Sequence, residues 1–221
     1  MEITYLGHSC FKLKNKEGLT LLIDPFKSEF VGFPLAKELA DVLVMSHQHE
    51  DHNAREMVTG PSNRLETFVI ENEGEYEIGG VEIGAMRTNH DGSKGEERGV
   101  NLVTSIRMDD LSVLHLGDLG TLLTSSQREK IGSVDVLMIP VDGKVSLDMK
   151  DVLQMIKDLT PSLVIPMHFK VDGMKPEFSD FMTLEGFLDK VSFPKYGEVV
   201  HKIKIDGSIL PDDTQLLIMN A

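Results

Sequence analysis

The stretch SHQHEDHN, Ser46–Asn53, holds three histidines, a glutamate and an aspartate. It follows DVLVM (Asp41–Met45), an unbroken apolar run of the kind that forms a strand covered on both faces. Side chains two apart at the end of an extended run point the same way, which sets the imidazoles of His47 and His49 together. Asp51 and His52 come after the chain has turned. One short loop therefore offers four ligands in two pairs, and imidazole with carboxylate suits zinc, iron or manganese rather than calcium. The alternative is a solvated histidine-rich loop in which Asp51 caps a helix. A true metal site needs further ligands elsewhere in the chain.

The sequence supplies them at other strand ends. His90 closes VEIGAMRTNH, Asp118 closes VLHLGD before a glycine-rich turn, and His168 closes SLVIPMH. Loops that follow strands are where open α/β sheets collect their sites. The seven candidates divide into His47, His49 and His90 on one side and Asp51, His52 and His168 on the other, with Asp118 placed to bridge. Three protein ligands and a bridge leave a position for water on each metal, the mark of a catalytic rather than a structural centre.

Composition is that of an ordinary soluble globular protein. The chain has 221 residues, enough for one domain spanning 1–221, with 41% hydrophobic and 26% charged residues. Its formal net charge of −14 makes nucleic acid and anionic membranes poor default partners, although net charge does not decide the character of one cleft. The single cysteine, Cys10, lies in an alternating stretch and reads as a small buried apolar residue. One cysteine allows no internal disulfide, and MEITYLG at the start lacks a basic and apolar leader, so a cytoplasmic protein is expected.

Strands are expected at EITYLGHSCFKLK, LTLLIDPF, ADVLVMS, TFVIE, EYEIGGVEIGAMRTN, VNLVTSIRM, LSVLHLGD, VDVLMIPV, SLVIPM, VVHKIKID and TQLLIMN. Met149, Val152, Leu153, Ile156 and Leu159 fall at helical spacing, ended by Thr160-Pro161. Capping boxes are read at Asn53/Glu56 and Ser126/Glu129, the latter helix stopping at Gly132, and EFSDFMTLEGFLDKV reads as a broken helix. ADVLVMS echoes VDVLMIP, and LTLLIDP echoes LSVLHLGDL, with Asp41/Asp135 and Asp24/Asp118 at one common offset. Two similar halves, stacked sheet to sheet, predict a four-layer αββα sandwich of the α/β class whose strand ends meet at one edge.

The motif His47-Gln48-His49-Glu50-Asp51-His52, followed in order by a histidine, a Gly-Asp and a further histidine, resembles the metallo-β-lactamase superfamily along essentially the whole chain. YLGHSCFKL, LLIDPF, HLGDLG and IPMHFK look like its branch of small stand-alone hydrolases that includes ascorbate-6-phosphate lactonase-like proteins. The resemblance implies a binuclear centre with the two ligand sets above, and a supporting role behind the histidine loop for Asp24. Flavodiiron-type relatives carry glutamate where this chain has His49, and the nucleic-acid clamp domain of RNA-processing members is missing. Two divalent cations, zinc first with manganese or iron as alternatives, would lower the pKa of a shared water from about 15.7 toward about 7 for attack on an ester, lactone or phosphoester.

Asp51 is the candidate to orient that water. His8, read as part of the first strand, is a candidate for donating behind the ligands or for protonating the leaving group, with a satisfied structural histidine as the alternative. His115 reads as buried and hydrogen-bonded, and His201 as part of an exposed strand face. Lys94, Arg98 and Lys170 flank the expected site loops and could meet an anionic group, or be solvated loop charges. The competing function is a metal-holding or ligand-sensing protein without turnover on the same fold.

Overall fold

The computed structural model describes residues 1–61 and 66–221. Its strands are β1 (Glu2–Gly7), β2 (Cys10–Lys14), β3 (Thr20–Ile23), β4 (Glu38–Leu39), β5 (Val42–Val44), β6 (Val58–Thr59), β7 (Phe68–Ile70) and β8 (Gly74–Ile78). They continue with β9 (Val81–Asn89), β10 (Val100–Met108), β11 (Leu111–His115), β12 (Val136–Pro140), β13 (Leu163–Met167), β14 (Lys202–Lys204) and β15 (Gln215–Leu216). The helices are α1 (Ser28–Val31), α2 (Ser125–Ile131), α3 (Met149–Leu159) and α4 (Leu184–Leu188). One sheet has the order β14-β1-β2-β3-β5-β7 and the other β15-β13-β12-β11-β10-β9-β8, with β4 and β6 forming a small separate pair.

Two-residue periodicity explains how the sheets stack. Leu21 and Ile23 of β3 enter the large apolar cluster, where Ile3, Leu13 and Val44 meet Ile83, Val113 and Ile139 of the other sheet. Leu22, between them, points outward and joins Cys10, Phe26, Val31, Leu35, Phe178 and Phe181 in a second cluster. Cys10 is thus a buried packing residue, as its alternating context predicts. On the outer face of the second sheet α3 packs against β12, burying Val152, Met155, Ile156 and Leu159 at helical spacing. The αββα sandwich is as expected, but its outer layer over the first sheet is thin: the four-residue α1, short 3₁₀ turns and aromatic loops do the covering.

The internal echo has a physical counterpart. Asp41 accepts hydrogen bonds from Thr20 N at 2.8 Å and Thr20 Oγ1 at 3.0 Å. Asp135 does the same for Ser112 N at 2.7 Å and Ser112 Oγ at 2.8 Å. The backbones repeat the match, Asp41 N to Thr20 O and Asp135 N to Ser112 O, both at 2.9 Å. Each aspartate ties the start of a parallel strand to its neighbour, β5 to β3 and β12 to β11.

Several local expectations need correction. His8 does not lie in a strand: it forms the turn between β1 and β2, with φ at 55°, because Ser9 must reverse the chain. No Asn53/Glu56 capping box forms. Asn53 instead donates its side-chain amide to Gln48 O at 2.8 Å, and only a 3₁₀ turn, Arg55–Met57, follows. The second capping box is Thr124 with Gln127, two residues earlier than Ser126/Glu129, although Gly132 does end that helix. The EFSDFMTLEGFLDKV stretch splits into a 3₁₀ turn at Pro176–Phe178 and α4, which Thr183 caps.

Candidate metal centre

Strand direction gathers the site. β1, β3 and β5 run one way in the first sheet, since β2 is antiparallel to β1 and β3 while β5 is parallel to β3. In the second sheet β9, β11, β12 and β13 likewise share a direction. The carboxyl ends of these seven strands release His8, Asp24, His47–His52, His90, Asp118, Asp142 and His168 in turn. Every one of the seven predicted ligands arrives at this edge.

Three groups of side chains could each hold an ion: His8, Asp51, His52 and His168; His47, His49 and His90; and His47, His52 and Asp118, with ligand atoms inside each group within 4.8 Å of one another. The two predicted sets are therefore brought together, and His8 joins the second. Asp118 Oδ2 lies 3.2 Å from His90 Nε2, 3.3 Å from His52 Nε2, 3.5 Å from His168 Nε2 and 3.9 Å from His47 Nε2. Among the described residues it is the one carboxylate within 4 Å of ligand nitrogens of both sets. Asp51 Oδ2 stands 3.2 Å from His8 Nε2, 3.7 Å from His52 Nε2 and 3.8 Å from His168 Nε2.

Outer partners aim these rings. Asp24, fully buried, accepts from Ser46 N and Ser46 Oγ at 2.6 Å each and meets His52 Nδ1 at 2.9 Å. Ser46 Oγ spends its hydrogen on Asp24, so it accepts from His47 Nδ1 at 2.9 Å. Asp142 Oδ2 meets His168 Nδ1 at 3.1 Å, while its Oδ1 accepts from Lys144 N and Val145 N. Nδ1 protonation turns the Nε2 lone pair inward, as metal-binding imidazoles require. The consequence is visible: Nε2 of His47, His52 and His168 and Oδ1 of Asp118 are buried with no hydrogen-bond partner. Such a set of convergent, unsatisfied lone pairs fits divalent cations.

The electrostatics say the same. Burial opposes charge on His52 and His168, but Asp118 foremost overcomes it, raising His52 well above the ordinary histidine range and His168 to about 10. Burial also opposes ionisation of Asp51 and Asp118, and the surrounding histidines hold both well below the carboxylate range. Burial and the neighbouring His168 lower His8 to about 4.

Backbone conformation is part of the design. His8, Asp24 and His168 have φ of 55°, 47° and 57°, in the left-handed region that costs a non-glycine residue energy and recurs at functional sites. Gly120 permits the loop of Asp118 to touch that of His90: a Cβ there would lie 2.4 Å from Asp91 N.

Asp142, Ser46 and Gly120 carry no role in the sequence reading. Asp142 could have been found, because IPVD closes an apolar strand run on an aspartate as LLID does at Asp24. Two other histidines fall outside the centre. His115 is buried with both nitrogens engaged, Nε2–H to Ser9 O at 3.0 Å and Nδ1 from Gly117 N at 3.1 Å. His201 is exposed. Lys170 is directed to Ser179 O at 2.8 Å.

The model for the β-lactamase superfamily domain matches residues 2–168, which takes in β1 to β13 and all seven candidate ligands. The chain belongs to the metallo-β-lactamase superfamily. It is a metal-dependent hydrolase of that superfamily, similar to UPF0173 metal-dependent hydrolases of Methanosphaera stadtmanae and Carboxydothermus hydrogenoformans. The first is 30% identical over 198 residues, covering 76% of this chain and 84% of the relative. The second is 28% identical over 230 residues, covering 90% and 99%. A solved Thermotoga maritima protein of the metallo-β-lactamase superfamily superposes with a TM-score of 0.75 at 30% identity, over 99% of this chain and 97% of that one. Among the described residues no helix is long and apolar enough to cross a membrane.

Proposed function

We propose that this metallo-β-lactamase superfamily member hydrolyses a small-molecule ester, lactone or phosphoester with two divalent cations, zinc first and manganese or iron as alternatives. His47, His49 and His90 would hold one, Asp51, His52 and His168 the other, and Asp118 would face both. The observation that carries the reading is the convergence of partnerless Nε2 atoms on a shared carboxylate. Burying such groups unsatisfied costs about 1–3 kcal/mol each, a penalty that a bound cation would remove. Bound cations supply an acidified water and a counter-charge for the developing oxyanion.

The chain's own residues do the rest. Asp51 lies between His8 and the His52–His168 pair and would orient the nucleophilic water through its carboxylate. His8 donates to Asp51 and fixes that orientation. Phe26 and Phe178 stand edge-on to the His8 ring, and Phe181 lies 5.1 Å from the His168 ring, an apolar wall that keeps bulk water from this side. Substrate choice falls to the loops 27–33, 91–99 and 169–178. A lactone is included because of the sequence's resemblance to lactonase-like members.

Metal stoichiometry by elemental analysis tests the proposal. Near two ions per chain in the wild type, falling in Asp118→Ala, is expected, and a screen of lactones, esters and phosphoesters should then yield turnover. Metal near zero after reconstitution with zinc, manganese and iron would reject it. Asp51→Asn with full metal and full turnover would remove Asp51 from the orienting role.

A further inference from the structure

The two ligand sets do not stand in equivalent surroundings. Behind the Asp51–His52–His168 set lie two buried carboxylates: Asp24 on His52 Nδ1 at 2.9 Å and Asp142 on His168 Nδ1 at 3.1 Å. The set itself contributes a third, Asp51, held by His8 Nε2 at 3.2 Å. Behind the His47–His49–His90 set, among the described residues, no carboxylate bonds Nδ1 of His47 or His90 directly. His47 Nδ1 meets a neutral hydroxyl, Ser46 Oγ, at 2.9 Å. His90 Nδ1 is buried with no hydrogen-bond partner, and its Nε2 lies 3.2 Å from the shared Asp118. His49 is solvent-exposed, whereas all four members of the other group are buried.

Physical chemistry gives these differences one direction. An imidazole whose far nitrogen donates to a carboxylate is a more basic, better fixed ligand, and loss of such a partner costs about 10–100-fold in metal affinity. Fixed negative charges also attract a cation more strongly where burial lowers the dielectric than where water screens them. Asp118 faces both sets and so cancels from the comparison.

We propose that the two positions are unequal: the Asp51–His52–His168 position binds a divalent cation first and tightly, and the His47–His49–His90 position is the weaker, exchangeable one. The proposal rests on the two-cation reading above. Asp142 is a positioning residue in it, acting on the cation through His168. Asp142 also isolates the effect, because Asp24 reaches both sets, His52 directly and His47 through Ser46. Asp142 touches only His168 among the ligands.

The experiment is a Zn²⁺ titration of chelator-stripped protein against a competing chromophoric chelator, on wild type, Asp142→Asn and His90→Ala. Folding of each stripped variant is checked by circular dichroism. Wild type should show two steps separated by at least about tenfold. Asp142→Asn should weaken the tight step about 10–100-fold and leave the weak step in place. His90→Ala should lose the weak step and keep the tight one. Two equal steps, or loss of the tight step in His90→Ala, would overturn the inequality. Asp142→Asn keeps an acceptor for its own turn. Were it nevertheless unfolded, His90→Ala alone still decides. A wild type that stops at one equivalent would instead break the two-cation reading, and whether His90→Ala keeps or loses that ion would then support or overturn the assignment of the tight position.

Discussion

Asp24 shows how much one side chain can hold in place. Its carboxylate, with no exposure to solvent, satisfies Ser46 twice and His52 once. Asp24→Ala would strand those donors in the interior, and breaking a buried charged network costs about 3–5 kcal/mol. A melting-temperature drop in the chelator-stripped protein is the expected outcome, and an unchanged value would mean that the network is not under load. Asp91 gives a prediction with a sign. Backbone N–H groups, that of Arg98 foremost, oppose the cost of burial and hold its carboxyl below the usual range; Ser93, Gly95 and Glu97 also donate. A depressed folded value contributes stability above the ordinary carboxylate pKa of about 3.9 and loses it as pH falls through the folded value. The protease resistance of segment 91–99 should therefore exceed that of Asp91→Ala at neutral pH, the gap closing only below about pH 4.

At the level of elements, legibility followed from how local the controlling physics was. The strands and α3 were readable because their apolar spacing is also their burial pattern. The seven candidate ligands were readable because each lies in a loop that follows a strand. Turns were harder. His8 looked like one more residue of an alternating run, and only the chain reversal between β1 and β2 explains its left-handed backbone. The Asn53/Glu56 box failed because Asn53 found a nearer acceptor in Gln48 O. The true cap of α2, Thr124, receives Gln127 N and holds Gln127 Oε1 in return. Thr124→Ala should cost about 1 kcal/mol in thermal unfolding while leaving metal content unchanged. Gly120→Ala is the contrasting case, since its Cβ would press on His90 and Asp91 backbone atoms at 2.4 Å. Forced overpacking of this kind costs about 1–3 kcal/mol. Here it should also reduce bound metal, by separating His90 from Asp118.

Across the whole molecule the repeated aspartate latch makes the two halves comparable. Asp41 on Thr20 and Asp135 on Ser112 perform the same task in separate sheets and share no partner in those bonds. Each alanine substitution should cost about 1–3 kcal/mol, and the double variant should sum the two, because the latch bonds lie in separate sheets. A large departure from additivity in urea unfolding would mean that the halves communicate through these ends.

The ligand sets cross the seam between the sheets. His47 and His49 follow β5 of the first sheet while His90 follows β9 of the second, and Asp51 and His52 are likewise joined by His168 from beyond β13. Neither half owns a complete position, so a cation would act as a rivet through the sandwich as well as a reagent within it. Its supply would then tune how long the protein survives: at a hundred times the dissociation constant a ligand adds about 2.7 kcal/mol to folding. A cell short of the metal would lose this hydrolase twice over, first as an activity and then, through proteolysis of the loosened halves, as a molecule.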